Sequence, residues 1–261
     1  GRNAHRPILK VATVHKAYPC PTYGNIGNHD CKYGDYSHLP EQPLGVLFET
    51  EVFQRCYDEH EVMLEGDGLT VRVVGIPYHG TEYDWDRFTN IKKGDEDYLV
   101  VMAHVLASPK GGTMFEGEDI IKYADLAGLD ADVFCFGHWH KDQGVTQLGD
   151  KWIVNIGSLS RGALNQDDLT RIPSVAVISF TGQGVDVIQR PLDVAPAGEV
   201  FDLDKRARRK VKDMTMGAFV DTIQATLAEG AKKPIEDTIR EMPGVPDEVK
   251  ERGILYWEQQ G

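Results

Sequence analysis

The sequence predicts an α/β fold in which two mixed sheets pack face to face with helices outside, followed by a helical C-terminal extension. Three observations carry that reading. Apolar, β-rich runs alternate with helical patterns over the first part of the chain, and hairpins with tight turns dominate later. Beyond "PLDVAPAGEVFDLD", where two prolines and small residues interrupt the pattern, the sequence becomes strongly helical. The boundary divides the 261 residues into a core over 1–195 and an extension over 196–261.

Taken in order, "GRNAHRPILKVATVHKAY" is a helix, with Ile8, Val11 and Ala12 at helical spacing. "CPTY" is a short strand leading to the turn "GNHD". A loop, "YSHLPEQPLG", precedes "VLFETEVFQRCY", which fits helix and strand alike. "HEVMLEG" and "LTVRVVGIPYH" flank Asp67-Gly68, a two-residue hairpin signal. "YDWDRFTNI" is a short helix and "DYLVVMAH" a buried strand ending at His104. "GEDIIKYADLAG" reads as an amphipathic helix stopped by Gly128. "DVFCFGHWH" is a buried strand ending in two histidines. "GVTQLG" and "KWIVNIG" form a hairpin through Gly149-Asp150, and "SVAVISF" and "GVDVIQRPL" another through "TGQ".

Composition narrows the function. Forty-one percent apolar residues supply a globular core. No long apolar run is present, which argues against a membrane partner. A net charge of −13 opposes a protein that coats nucleic acid with a basic face, although bound divalent cations reverse the local sign at a site. Cys20, Cys31, Cys56 and Cys135 are far apart, without metal or redox spacing, and read as reduced thiols of a cytoplasmic protein.

Three loops each follow an apolar strand and present metal-capable side chains: "GNHD" with Asn28 and His29, "VVMAHV" with His104, and "FGHWH" with His138 and His140. Sites in α/β sheets gather at the carboxyl ends of strands, so these loops can converge. In a strand end, residues two apart point to one side, so His138 and His140 are expected to reach two ions about 3.5–4 Å apart. Taken singly, each loop has a plainer explanation. A strand-end histidine is more often structural, and a glycine-rich turn favours Asn and Asp for its backbone geometry.

Together, "GNHD", a strand-end histidine, "GHWH" and "NIGSLSRG" resemble the calcineurin-like metallophosphoesterase superfamily. With "PLGVLF" and the helical tail, the chain looks most like DNA repair exonucleases, the nuclease subunit of SbcCD-type complexes and its phage relatives. The resemblance spans roughly residues 5 to 195. It implies a four-layer sandwich of two mixed sheets flanked by helices, and two divalent ions, manganese before magnesium. It implies that Asn28, His104 and His138 ligate one ion and His140 the other. His29 would assist the leaving oxygen, while Asp30 supports the turn. The family's Asp-x-His pair and "GD" motif, which normally precede "GNHD", have no counterpart here, and the first 26 residues contain no aspartate. The resemblance therefore implies a sandwich lacking its first strand and an incomplete ligand set. Three neutral ligands hold hard cations weakly, so the chain alone is expected to hydrolyse poorly. A shortened reading frame, a split enzyme and a silent scaffold each account for the gap.

The expected function is that of a metal-dependent DNA phosphodiesterase, an exonuclease of a repair or recombination complex. The alternatives are a phosphoesterase for nucleotides or small phosphodiesters, and a non-catalytic interaction subunit. Expected partners are DNA, an ATPase subunit of the SbcCD type, and a second copy of the chain. In the tail, Lys205, Arg208, Arg209 and Lys212 fall on one helical stripe. That stripe contacts DNA phosphates or an acidic partner, or is simply a solvated face. His79, after "GIPY", reads as a solvent-facing loop histidine rather than a cleft residue.

Overall fold

A computed structural model describes residues 5–31, 35–112, 117–161, 169–205, 235–241 and 245–258. The chain divides into two compact units, 1–194 and 195–261.

The first unit is organised by a six-stranded sheet. Its strands are β3 (Val62–Gly66), β4 (Leu69–Ile76), β5 (Tyr98–His104), β8 (Val133–Gly137), β9 (Gly144–Leu148) and β10 (Lys151–Asn155). Their order is β3-β4-β5-β8-β10-β9. The four inner strands are parallel, and antiparallel β3 and β9 close the two edges. Parallel strands are stable only when both faces are covered, and the alternation along β5 shows how this is met. Leu99, Val101 and Ala103 enter one core with Phe134, Phe136 and Ile153, roofed by Phe88, Tyr123 and Leu126. Val100 enters the other with Val71, Val133 and Val154. That second face is covered by the hairpin of β11 (Ser174–Thr181) and β12 (Gly184–Pro191), through Val187, Ile178 and Phe180.

The α/β class, with a large mixed sheet and flanking helices, is therefore as the sequence predicts. The second sheet is smaller than expected: among the described residues it is a two-stranded hairpin rather than a mixed sheet. The turn chemistry holds. Asp67 and Gly68 have φ of 50° and 76°, and Gly149 has 63°, the left-handed values such turns demand.

Before the sheet come α1 (His5–Lys16), the two-residue strand β1 (Tyr23–Gly24), a 3-10 turn over Asn28–Asp30, α2 (Pro43–Glu49) and β2 (Gln54–Arg55), which pairs with β1 in parallel. The ambiguous segment thus divides, helix first and strand second. A second 3-10 stretch covers Tyr36–Glu41, and α3 covers Asp86–Thr89. The helix predicted from "GEDIIKYADLAG" does not form. Ile121–Lys122 is β7, paired in parallel with β6 (Ala107–Ser108), and only Tyr123–Gly128 coils, as a 3-10 turn. Tyr123 and Leu126, three apart, are both buried, a spacing that one 3-10 turn satisfies as well as an α-helix.

In the second unit, α4 (Ala197–Val200), α5 (Ile235–Glu241) and α6 (Asp247–Glu258) are described, and Ile239 of α5 and Ile254 of α6 are buried. Lys205 is exposed there. Arg208, Arg209 and Lys212, with most of the predicted basic stripe, lie outside the described residues. No helix among the described residues is long and apolar enough to cross a membrane.

Candidate functional site

The loop that carries Asn28 and His29 is fastened to the sheet by Asn25, which no sequence motif singles out. Asn25 Nδ2 donates to Ile76 O at the end of β4 and to Met102 O near the end of β5, both at 2.9 Å. Its Oδ1 accepts from Ile26 N, and Tyr78 N returns a bond to Ile26 O. Asp30 closes the turn itself: its Oδ2 accepts from Gly27 N at 3.0 Å, and its own N–H donates to Gly27 O. Burial raises the Asp30 carboxyl pKa, against the lowering effect of the Gly27 bond and His29.

This anchoring brings Asn28 against His104, 76 residues away in sequence. His104 Nε2 lies 3.1 Å from Asn28 Oδ1. The ring sits in a cradle made by two glycines. A methyl group at Gly27 would stand 2.8 Å from His104 Cε1, and one at Gly137 would stand 3.0 Å from Nδ1. Burial pushes the His104 pKa down to about 3, helped by repulsion from His138, His140 and His29. The ring is thus neutral at physiological pH, which is the form that ligates metals.

His138 follows β8 with φ of 88°, a strained value for a residue with a side chain. That turn redirects the chain at the end of the strand. The His138 ring lies 5.1 Å from that of His104 and 5.4 Å from that of Tyr78, whereas the His140 ring lies 6.3 Å from that of exposed His29. The backbone of His140 is held by the following turn. Ser158 N donates to His140 O, and Gly157, at φ of 72°, leaves no room for a methyl group, which would meet that oxygen at 2.4 Å.

His138 Nε2 is 2.8 Å from Glu118 Oε1, a residue not anticipated from sequence. Its Nδ1 is buried and has no hydrogen-bond partner among the described residues. A buried ring nitrogen of this kind calls for an explanation, and an ion is one of those it admits. The Asn28–His104 contact is a hydrogen bond, and its length is also compatible with two ligands of one ion. Adjacent ligands of an octahedral ion bound at 2.0–2.1 Å lie about 3 Å apart. The described residues contain no group of three or more His, Cys, Asp or Glu side chains that could hold a metal. What they offer is an amide oxygen and two imidazoles, a donor set that fits a borderline divalent ion at Asn28, His104 and His138.

Other histidines are committed elsewhere. His15 Nδ1 bonds Thr22 Oγ1, with its ring against Tyr18 and Phe53. His79 is half-buried rather than solvent-facing: Nδ1 contacts Pro77 O and Nε2 accepts from Asp84 N. Both ring nitrogens hold its own loop. Glu118 and Asn25 were legible only as letters inside "EGED" and "GNIGNHD", with no spacing to mark them.

Residues 5–142 match the calcineurin-like phosphoesterase family, which is more than half of the chain. No curated protein matches. Among solved structures, the chain is similar to a Staphylococcus aureus protein provisionally named a 5'-nucleotidase and crystallised with α-ketoglutarate. They share 19% identity at a TM-score of 0.47, over 78% of this chain and 44% of that one. The chain thus spans less than half the length of that relative. A hypothetical protein from Thermus thermophilus is similar at 15% identity and a TM-score of 0.33, over 71% of this chain and 94% of that one.

Proposed function

The chain belongs to the calcineurin-like phosphoesterase family, and from that premise we propose that the cluster of Asn28, His29, His104, His138 and His140 is a metal-dependent site for hydrolysis of nucleotides or small phosphodiesters. The observation that carries the proposal is the pairing of Asn28 and His104 at 3.1 Å beside the buried, unpartnered Nδ1 of His138. Two divalent ions are typical of the family. Asn28, His104 and His138 would hold one, with His140 toward the other. Such ions supply Lewis acidity and lower the pKa of water enough to make a nucleophile near neutral pH.

The chain's own residues supply the rest. Burial keeps His104 unprotonated, so its lone pair is available. Gly27 and Gly137 fix the ring by leaving no slack around it. His29, exposed and with its ring 6.3 Å from that of His140, would give a proton to the departing oxygen. The net charge of −13 favours a small phosphoester over a long polyanion, whose approach it opposes along the whole surface.

A second reading, exonucleolytic cleavage of DNA with an ATPase partner, is supported by the basic run "DKRARRKVKD". The two are separated by initial rates, with saturating manganese, on a chromogenic phosphodiester, a mononucleotide and linear duplex DNA. The small-substrate reading expects turnover of the first two, abolished by His104→Ala and by Asn28→Ala. Turnover of duplex alone favours the second reading. In that case neutralising Lys205, Arg208, Arg209 and Lys212 flattens the salt dependence of DNA binding, by up to ~0.9 for each phosphate no longer neutralised. No turnover of any substrate, together with no manganese binding, would leave an interaction subunit and refute both.

A further inference from the structure

The buried carboxylate beside His138 has no role in the hydrolytic reading, yet it is built with more care than any surface ion pair. Glu118 and His138 side chains are only 11% and 12% exposed, and their contact is 2.8 Å. Glu118 Oε1 also accepts from Tyr83 Oη at 2.8 Å. Tyr83 Oη in turn accepts from Leu106 N at 2.8 Å, which directs its single proton toward Glu118. The neighbouring Asp119 fixes the frame: its Oδ2 accepts from Tyr83 N, and its N–H donates to Thr81 O. The chain of bonds therefore runs from Leu106, just after β5, through the loop that follows β4, to the histidine that follows β8.

We propose that Glu118, backed by Tyr83, is a positioning residue that holds His138 in its Nε2–H tautomer, leaving the Nδ1 lone pair free for a divalent ion. The proposal rests on the metal-dependent reading of the site. Glu118 Oε1 already accepts the Tyr83 hydroxyl proton, so in its contact with His138 it is again the acceptor and Nε2 the donor. Nδ1, on the other side of the ring, is buried and meets no partner among the described residues. One ring nitrogen is thus occupied by the protein and the other is reserved. A carboxylate behind a ligating imidazole fixes ring orientation and raises ligand basicity, and losing such a partner weakens metal affinity by about 10–100-fold.

The test combines two readouts on the whole chain. Nitrogen-15 NMR of the histidine rings assigns the His138 tautomer in metal-free protein, and titration calorimetry gives manganese affinity. The wild type is expected to show the Nε2–H form. Glu118→Ala should give a mixture of tautomers and a loss of affinity of about 10–100-fold. Glu118→Gln, whose amide oxygen still accepts, should retain the tautomer and most of the affinity, and it serves as the folded control. Tyr83→Phe should fall between them. Unchanged tautomer and affinity in Glu118→Ala would overturn the proposal. So would an equal loss of affinity in Glu118→Gln and Glu118→Ala with the tautomer kept in both, which would make the carboxylate charge, and not the orientation of His138, the contribution. A tautomer shift in Glu118→Ala from a wild type that binds no manganese would uphold the positioning role and refute the metal-dependent function.

Discussion

Replacing Asn25 by alanine removes three hydrogen bonds at once: two donated by Nδ2 to Ile76 O and Met102 O, and one accepted by Oδ1 from Ile26 N. At a net worth of about 0.5–1.5 kcal/mol each, the three amount to about 1.5–4.5 kcal/mol. Because Asn25 is half-buried, water reaches part of the gap, and the lower half of that range is expected. In a unit of this size, about 1.5–3 kcal/mol corresponds to a fall in Tm of roughly 3–12 °C. Asn25→Asp is the sharper probe. It keeps the acceptor for Ile26 N but turns a carboxylate oxygen toward two carbonyl oxygens, so it should be less stable than the alanine variant above about pH 5, where a carboxyl group is ionised. Urea unfolding followed by circular dichroism measures both. A cost below about 0.5 kcal/mol for Asn25→Ala, or an aspartate variant as stable as the wild type, would show that the loop is fastened to the sheet by other means.

Two further predictions concern His104. Gly27 has φ of −101°, which any residue adopts, so Gly27→Ala acts only through its methyl group, 2.8 Å from the His104 ring. The ring must tilt away from Asn28, and manganese affinity measured by calorimetry should fall about tenfold or more with little change in unfolding free energy; unchanged affinity would contradict the cradle. The depressed His104 pKa also makes stability depend on pH. The unfolded ring takes a proton near pH 6.5 and the folded ring near 3, so the contribution is complete above pH 6.5 and is lost as pH falls toward 3. The slope is about 1.4 kcal/mol per pH unit inside that window. Unfolding measured across the upper part of that window, from neutral pH downward, should show a flatter dependence in His104→Gln than in the wild type, and parallel curves would count against a buried neutral ring.

Much of the architecture is legible because local chemistry and the final fold agree. Asp67-Gly68 and Gly149-Asp150 turn where their backbone preferences direct. "YLVVMA" and "VFCF" are apolar throughout because both faces of their strands are covered. The segment around Tyr123–Gly128 misleads because two buried residues three apart satisfy a single 3-10 turn and a longer helix equally. The second sheet is overestimated because alternation along β11 and β12 marks a half-buried hairpin without revealing how many strands join it. At the site, the strand-end positions of His104 and His138 foretell their meeting. The left-handed backbone of His138 is not foretold, since no glycine or asparagine marks the position. Glu118 and Asn25 owe their roles to partners 20 to 77 residues away, and nothing local distinguishes them from other polar residues.

The distance along the chain between Asn25 and the end of β5 has a consequence for how the protein folds. The contacts that set the site in place span 51, 76 and 77 residues, and each requires that parallel strands already lie side by side. Such non-local pairing is slow, because loop-closure entropy is spent before any contact compensates it. The polypeptide therefore brings Asn28 and His104 together only after those strands have paired. Their meeting marks arrival at the native state, separately from the earlier appearance of secondary structure.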